Sequence, residues 1–235
     1  MYDNKEFKKF ATKHVGINTL VYEDYEKAVN AAVPPSVYGM TPNVIEERRM
    51  NAVAMDVFSR LMMDRIIYFG LPVRPDVANV VNAQLLFLQS TDPKRDIQMF
   101  LNSPGGSVID GLSIYDTMQY VTPDVATVCT GLAASMGAVL LAAGEKGKRS
   151  CLGHSRVMIH QPSGGMQGQA SDMEISYKFM KSLQKDLYDI LAKHTGQPYD
   201  KIEEDCDRDN WLTGKEAMEY GLIDEVLGAD AKDNK

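Results

Sequence analysis

Eight residues constrain this chain most: Gly131-Leu132-Ala133-Ala134-Ser135-Met136-Gly137-Ala138. A strand pattern turns into a helix pattern here, and one serine stands among residues with almost no side chain. A nucleophilic hydroxyl needs such a setting. It must stand clear of bulky neighbours, and a backbone N–H beside it must face the reacting carbonyl. A tight strand-to-helix turn supplies both, because the first N–H groups of a helix have no intrahelical partner. A small-residue helix packed closely against its neighbour would read the same way, so the stretch alone leaves both readings open.

Two further segments favour the nucleophile. Downstream, Ser155-Arg156-Val157-Met158-Ile159-His160-Gln161-Pro162 reads as a short apolar strand that ends in a histidine and is stopped by proline. An imidazole titrates near pH ~6.5, which suits a general base. The other histidines have plainer contexts. His14 lies in a polar leader, His154 follows Gly153 in a turn, and His194 ends a long helix, where the dipole favours a cation. Upstream, the strand in Ile97-Gln98-Met99-Phe100-Leu101-Asn102 runs into Ser103-Pro104-Gly105-Gly106-Ser107, with a helix pattern from Val108. Glycines there let backbone N–H groups approach a ligand. Phosphate-loop spacings are absent. An oxyanion hole, or an edge that pairs with an extended peptide, fits better.

Asn102-Ser103-Pro104-Gly105-Gly106, Ala133-Ala134-Ser135-Met136-Gly137-Ala138 and Met158-Ile159-His160-Gln161-Pro162 occur in this order. Together they resemble the ClpP family of serine peptidases. The likeness continues through Asp64-Arg65-Ile66-Ile67 and Ser113-Ile114-Tyr115-Asp116-Thr117-Met118, and spans roughly Pro42 to Leu227. It implies a ClpP/crotonase-like stacked β/α fold with a protruding handle helix and strand. It also implies a Ser-His-Asp peptidase that cleaves unfolded polypeptides inside two stacked heptameric rings, fed by an AAA+ unfoldase. Residue by residue, it assigns Ser135 as nucleophile, His160 as base and Asp209 as acid, with the N–H groups of Gly106 and Met136 as oxyanion donors. Met136 also follows from geometry, as the residue after the nucleophile. Within the acidic run Glu203, Glu204, Asp205, Asp207, Asp209, sequence alone leaves Asp205, Asp207 and Asp209 as rivals. The resemblance selects Asp209, which must be buried enough to orient the imidazole.

The formal net charge of −7 argues against a nucleic-acid partner. No apolar run of about 18 residues suggests a membrane span. Cys129, Cys151 and Cys206 lack metal-ligand spacing, and a reduced, cytoplasmic setting is expected, with no cofactor in this chain. The expected organisation is a leader over residues 1–41, which the resemblance suggests is a self-cleaved propeptide. An axial-loop region follows over 42–55, then a peptidase domain over 56–228 and an acidic tail over 229–235.

Within the domain, helices are expected at 56–63 and 76–89, the second with an apolar stripe of Val77, Val80, Val81, Leu85 and Leu88. Strands are expected at 65–69, 96–101, 125–129, 156–160 and 222–227. Gly164–Gln169 reads as a flexible loop or as a flat edge strand free to pair with another chain. A long helix over 171–193 opens on a Ser171…Glu174 capping box, and a last helix opens on Thr213…Glu216. Alternating β and α elements favour a stacked α/β architecture. A crotonase-like acyl-CoA hydratase or isomerase would share the oxyanion geometry without needing Ser135, His160 and Asp209 together. A catalytically dead ring subunit would have lost one of the three.

Overall fold

In the computed structural model, the backbone is described for residues 43–48 and 51–228, and side chains from Asp56 onward. The expected leader and acidic tail lie outside the described residues. The chain divides into two units at Val57/Phe58. In the first, the stretch read as an axial loop forms an antiparallel hairpin of β1 (Asn43–Arg48) and β2 (Asn51–Asp56).

From residue 57 the chain alternates helix and strand: α1 (Val57–Met63), β3 (Ile66–Phe69), α2 (Pro75–Thr91), β4 (Ile97–Ser103), α3 (Val108–Tyr120), β5 (Val125–Ala134) and α4 (Met136–Ala142). Then come β6 (Arg149–Leu152), β7 (Arg156–Ile159), α5 (Ala170–Thr195), α6 (Tyr199–Asp205), β8 (Asn210–Thr213), α7 (Gly214–Tyr220) and β9 (Glu225–Leu227). The sheet runs β3-β4-β5-β6-β9, all parallel. Long β5 changes partner midway: Thr127–Cys129 pair with β6, and Leu132–Ala134 pair with β7. Antiparallel β8 then extends the sheet beyond β7.

Sequence chemistry accounts for these elements. Along β4, Ile97, Met99, Leu101 and Ser103 point into the core in strict alternation. All seven residues of α4, Met-Gly-Ala-Val-Leu-Leu-Ala, are buried, as expected of a helix apolar on every face. Pro75 and Asp76 open α2, and the buried Arg65 guanidinium closes it, donating to the carbonyls of Leu88, Arg95 and Asp96. The expected α2 stripe is displaced: Val77, Ala78, Val81, Leu85 and Leu88 are buried, but Val80 faces solvent with Leu86 and Phe87. Thr213 and Glu216 form the expected capping box of α7.

Other expectations change. Helix α5 begins after Gln169 with no side-chain cap, so Ser171…Glu174 is not its box. Residues 161–169 contain no strand, because the flat segment has no ladder partner among the described residues. The first ten residues of α5 are all accessible, and burial begins around Gln184, Leu187, Tyr188 and Leu191. The outer half of the helix therefore projects as a handle. Beside its other end, His194 is neutral rather than a dipole-stabilised cation. Burial, with Lys193 and Arg149 nearby, pushes it down to about 4, and Tyr115 Oη lies 3.1 Å from its Nε2.

Arg149 ties this end together. It is 3% exposed, meets both Asp224 oxygens at 2.7 and 2.9 Å, and donates to the His194 carbonyl. Burial alone would raise the Asp224 pKa, but the Arg149 hydrogen bonds outweigh it and hold the carboxyl below 3.8. A group whose folded pKa is depressed stabilises fully above its unfolded value, and that contribution is lost as pH falls through the folded one. Asp224→Ala, which leaves a buried guanidinium unpaired, should cost about 3–5 kcal/mol in denaturant unfolding at neutral pH. The cost should shrink as pH falls below ~3.8, because the unfolded carboxyl takes up a proton there before the folded one does.

Candidate active site

The carboxyl ends of parallel strands gather the site, as in open α/β sheets generally. The Pro-Gly-Gly turn follows β4, Ser135 follows β5 and His160 follows β7. Because β8 is antiparallel to β7, with Asn210 opposite Ile159, its starting end brings Asp209 to the same edge.

Ser135 is the junction between β5 and α4. Its N–H donates to the Met158 carbonyl at 2.8 Å, continuing the β5–β7 ladder by one residue. Its backbone has φ 54° and ψ −123°, a left-handed conformation rare for a residue with a Cβ. Such positions cost about 1–3 kcal/mol and persist where surrounding structure over-determines them. Met136 is the first residue of α4, so its N–H has no carbonyl a full turn before it. The glycine turn lies against this junction. A Cβ on Gly105, at φ +85°, would sit 2.6 Å from the Ala134 carbonyl oxygen and 2.7 Å from Ser135 Cβ. Gly106, at φ +146°, is in turn pressed against Val73, whose backbone bonds Gly105 and Ser107 on either side. Asn102 Oδ1 adds a bond from the Leu132 N–H across β4 and β5.

His160 Nδ1 lies 2.9 Å from Asp209 Oδ1. The rival carboxylates are engaged elsewhere: Asp205 with Lys201 and Tyr220, and Asp207 with Gln161. If Nδ1 carries the proton, Nε2 has a free lone pair, as a general base requires. One expectation is reversed. Asp209 was required to be buried, yet its side chain is 59% exposed, against 24% for His160. Ser135 and His160 line one apolar cavity of about 20 Å³ with Val108, Val139, Leu187 and Tyr188. No hydrogen bond links the two among the described residues, and catalytic bonds of this kind often tighten only around substrate. Cys206, near Asp209 in sequence, is no competing nucleophile: burial pushes its thiol up to about 12. Among the described residues, no group of three His, Cys, Asp or Glu could hold a metal ion, and no helix is long and apolar enough to cross a membrane.

A hydroxyl on a strained turn, a carboxylate-backed imidazole and orphan N–H groups beside them suit acyl transfer. That places the protein among serine hydrolases built on a parallel α/β sheet. Two kinds of similarity narrow the class. The family model for Clp protease matches residues 48–230. The chain is 55% identical over 227 residues to the ATP-dependent Clp protease proteolytic subunit of Porphyromonas gingivalis, covering 97% of this chain and 99% of that one. It is 55% identical over 222 residues to the subunit of the same name from Bacteroides thetaiotaomicron, covering 94% and 98%. Against one from Bacteroides fragilis it is 60% identical over 188 residues, covering 80% and 91%. The chain belongs to the Clp protease family and is a serine peptidase.

Sequence reasoning missed Gln161, whose position next to His160 was visible but whose side-chain bonds were not. It also missed β8, which directly follows the acidic run. The strain at Ser135 gives a test independent of activity. Ser135→Gly should be more stable than Ser135→Ala by about 1 kcal/mol, because only glycine adopts this backbone without a Cβ penalty. Equal denaturation midpoints would show that the turn is not strained.

Proposed function

We propose that Ser135, His160 and Asp209 form the catalytic triad of a peptidase that cuts unfolded polypeptides inside a chamber made from copies of this chain. The observation that carries this reading is the meeting of three strand ends and the start of β8 at one sheet edge. His160 takes the Ser135 proton through Nε2, and Oγ attacks the peptide carbonyl. The N–H groups of Gly106 and Met136 stabilise the oxyanion, each worth about 100- to 1000-fold in rate. Asp209 fixes the tautomer of His160 and stabilises its cation. The protonated imidazole then gives its proton to the leaving amine, and water, activated in the same way, releases the acyl group. No cofactor enters these steps.

The exposed surface supports assembly. Met173, Ile175, Tyr177 and Phe179 stand on the projecting half of α5, 38–67% exposed, and Val80, Leu86 and Phe87 form a second apolar face on α2. Apolar groups so concentrated suit contact with further copies, and the proposed arrangement is two stacked seven-membered rings. An AAA+ unfoldase of the Clp family would deliver substrates, in keeping with the ATP dependence named for the relatives. A cytoplasmic location, and removal of the leader by self-cleavage, complete the reading.

Ser135→Ala should abolish hydrolysis of a short fluorogenic peptide without loss of folding. A fluorophosphonate should add once to the wild-type chain and not to the variant, as read by intact mass. Undiminished turnover by the variant would overturn the assignment. Arg208, 92% exposed beside Asp209 and 3.7 Å from the Asp207 carboxylate, would pair with an acidic group on a neighbouring copy. Arg208→Ala should therefore weaken ring stacking and hydrolysis together. A variant that sediments as the double ring with full activity would separate Arg208 from both.

A further inference from the structure

The acid of the site is poorly secured by its own side chain. Asp209 is 59% exposed, and among the described residues its carboxylate has one side-chain hydrogen bond, to His160. The residues before it are no firmer, with the Asp207 and Arg208 side chains 70% and 92% exposed. Something else must fix this segment, since a misplacement of about 1 Å can cost on the order of 100-fold in rate.

Two anchors flank it. On one side, Asn210 pairs with Ile159 in the β7–β8 ladder. On the other side stands Gln161, the residue after His160. Its N–H donates to the Cys206 carbonyl at 2.6 Å, and its Nε2 donates to the Asp207 carbonyl at 2.7 Å and to Asp207 Oδ1 at 3.3 Å. The neighbours of His160 in the chain thus hold the stretch that carries Asp209. Gln161 is itself held: its Oε1 accepts from Gln184 Nε2 at 3.2 Å. Gln184 lies on α5 and is 9% exposed. Its Nε2 also meets Tyr188 Oη at 3.0 Å, and its Oε1 accepts from Lys181 Nζ. The donors run in one direction, from Lys181 to Gln184 to Gln161 to the Asp207 backbone. Turning the Gln161 amide over would set its oxygen against the Asp207 carbonyl, so the chain of bonds admits one orientation.

We propose that Gln161 and Gln184 are positioning residues, a relay that holds Asp209 in line with His160 by tying the 206–209 segment to helix α5. The inference rests on the triad reading given under Proposed function. Neither glutamine lines the cavity that Ser135 and His160 share. Loss of the relay should leave substrate binding intact and slow the proton transfers that Asp209 supports.

The test uses the full chain and a short fluorogenic peptide. Gln161→Leu should lower kcat about 10-fold or more with KM within about twofold, because only alignment of the acid is lost. The acid limb of its kcat/KM profile should move to lower pH, since a displaced Asp209 stabilises the imidazolium less. Gln184→Met should act in the same direction, about threefold, with the melting temperature nearly unchanged, and it carries the test if Gln161→Leu does not fold. The double variant should lose no more than Gln161→Leu alone, because the two act on one path. Wild-type kcat and pH profile in the folded variants, or multiplying losses in the double variant, would overturn the relay. Ser135→Ala run in parallel separates the two levels. A wild type no more active than Ser135→Ala overturns the triad reading and the relay with it, whereas an active wild type matched by the glutamine variants overturns the relay alone.

Discussion

The site depends on a single strand that has two neighbours on the same edge. Residues 127–129 of β5 pair with β6, and residues 132–134 pair with β7. A strand that kept one partner throughout would leave the end of β7 elsewhere. The change of partner brings His160 beside Ser135, and the Ser135 N–H bond to the Met158 carbonyl fixes the register between them to one residue. A one-residue slip of β7 would turn the His160 side chain to the opposite face. On the other side of β5, β4 supplies the glycine turn, whose lack of side chains lets its backbone lie against the serine junction.

Rigidity is unevenly distributed about this strand. The Ser135 side is deeply set: Ala133, Ala134, Met136 and Ala138 are each at most 3% exposed, and α4 is buried along its whole length. Strain at Ser135 is tolerated because these neighbours leave it no alternative. The Asp209 side is open, with its carboxylate in solvent and its segment secured through backbone anchors at its flanks. Alignment of the proposed triad is therefore more sensitive to what happens around 206–209 and α5 than to the core.

Much of this was legible in the sequence. The turn at 134–136, the Pro-Gly-Gly segment and the strand ending at His160 each combine a periodicity with a breaker, and local chemistry of that kind specifies local structure. Exclusively apolar α4 and the Thr213…Glu216 capping box were readable for the same reason. What could not be read depends on partners distant in the chain. Composition made Asp205, Asp207 and Asp209 equivalent, and their separation comes from the antiparallel register of β8 on β7. The charge state of His194 looked set by the helix dipole, but burial and two neighbouring cations decide it. The Gly164–Gln169 segment forms no strand because a strand requires a partner, and none pairs with it among the described residues.

The most direct test of the account is a crystal structure of the chain inhibited by a peptide boronic acid. The account predicts a tetrahedral boronate on Ser135 Oγ, with one oxygen about 2.7–3.1 Å from the N–H groups of both Gly106 and Met136. His160 Nε2 should lie within hydrogen-bond reach of Oγ or of the second boronate oxygen, with Nδ1 still on Asp209. An adduct on another residue would contradict it. So would a boronate on Ser135 whose oxygens face away from both N–H groups.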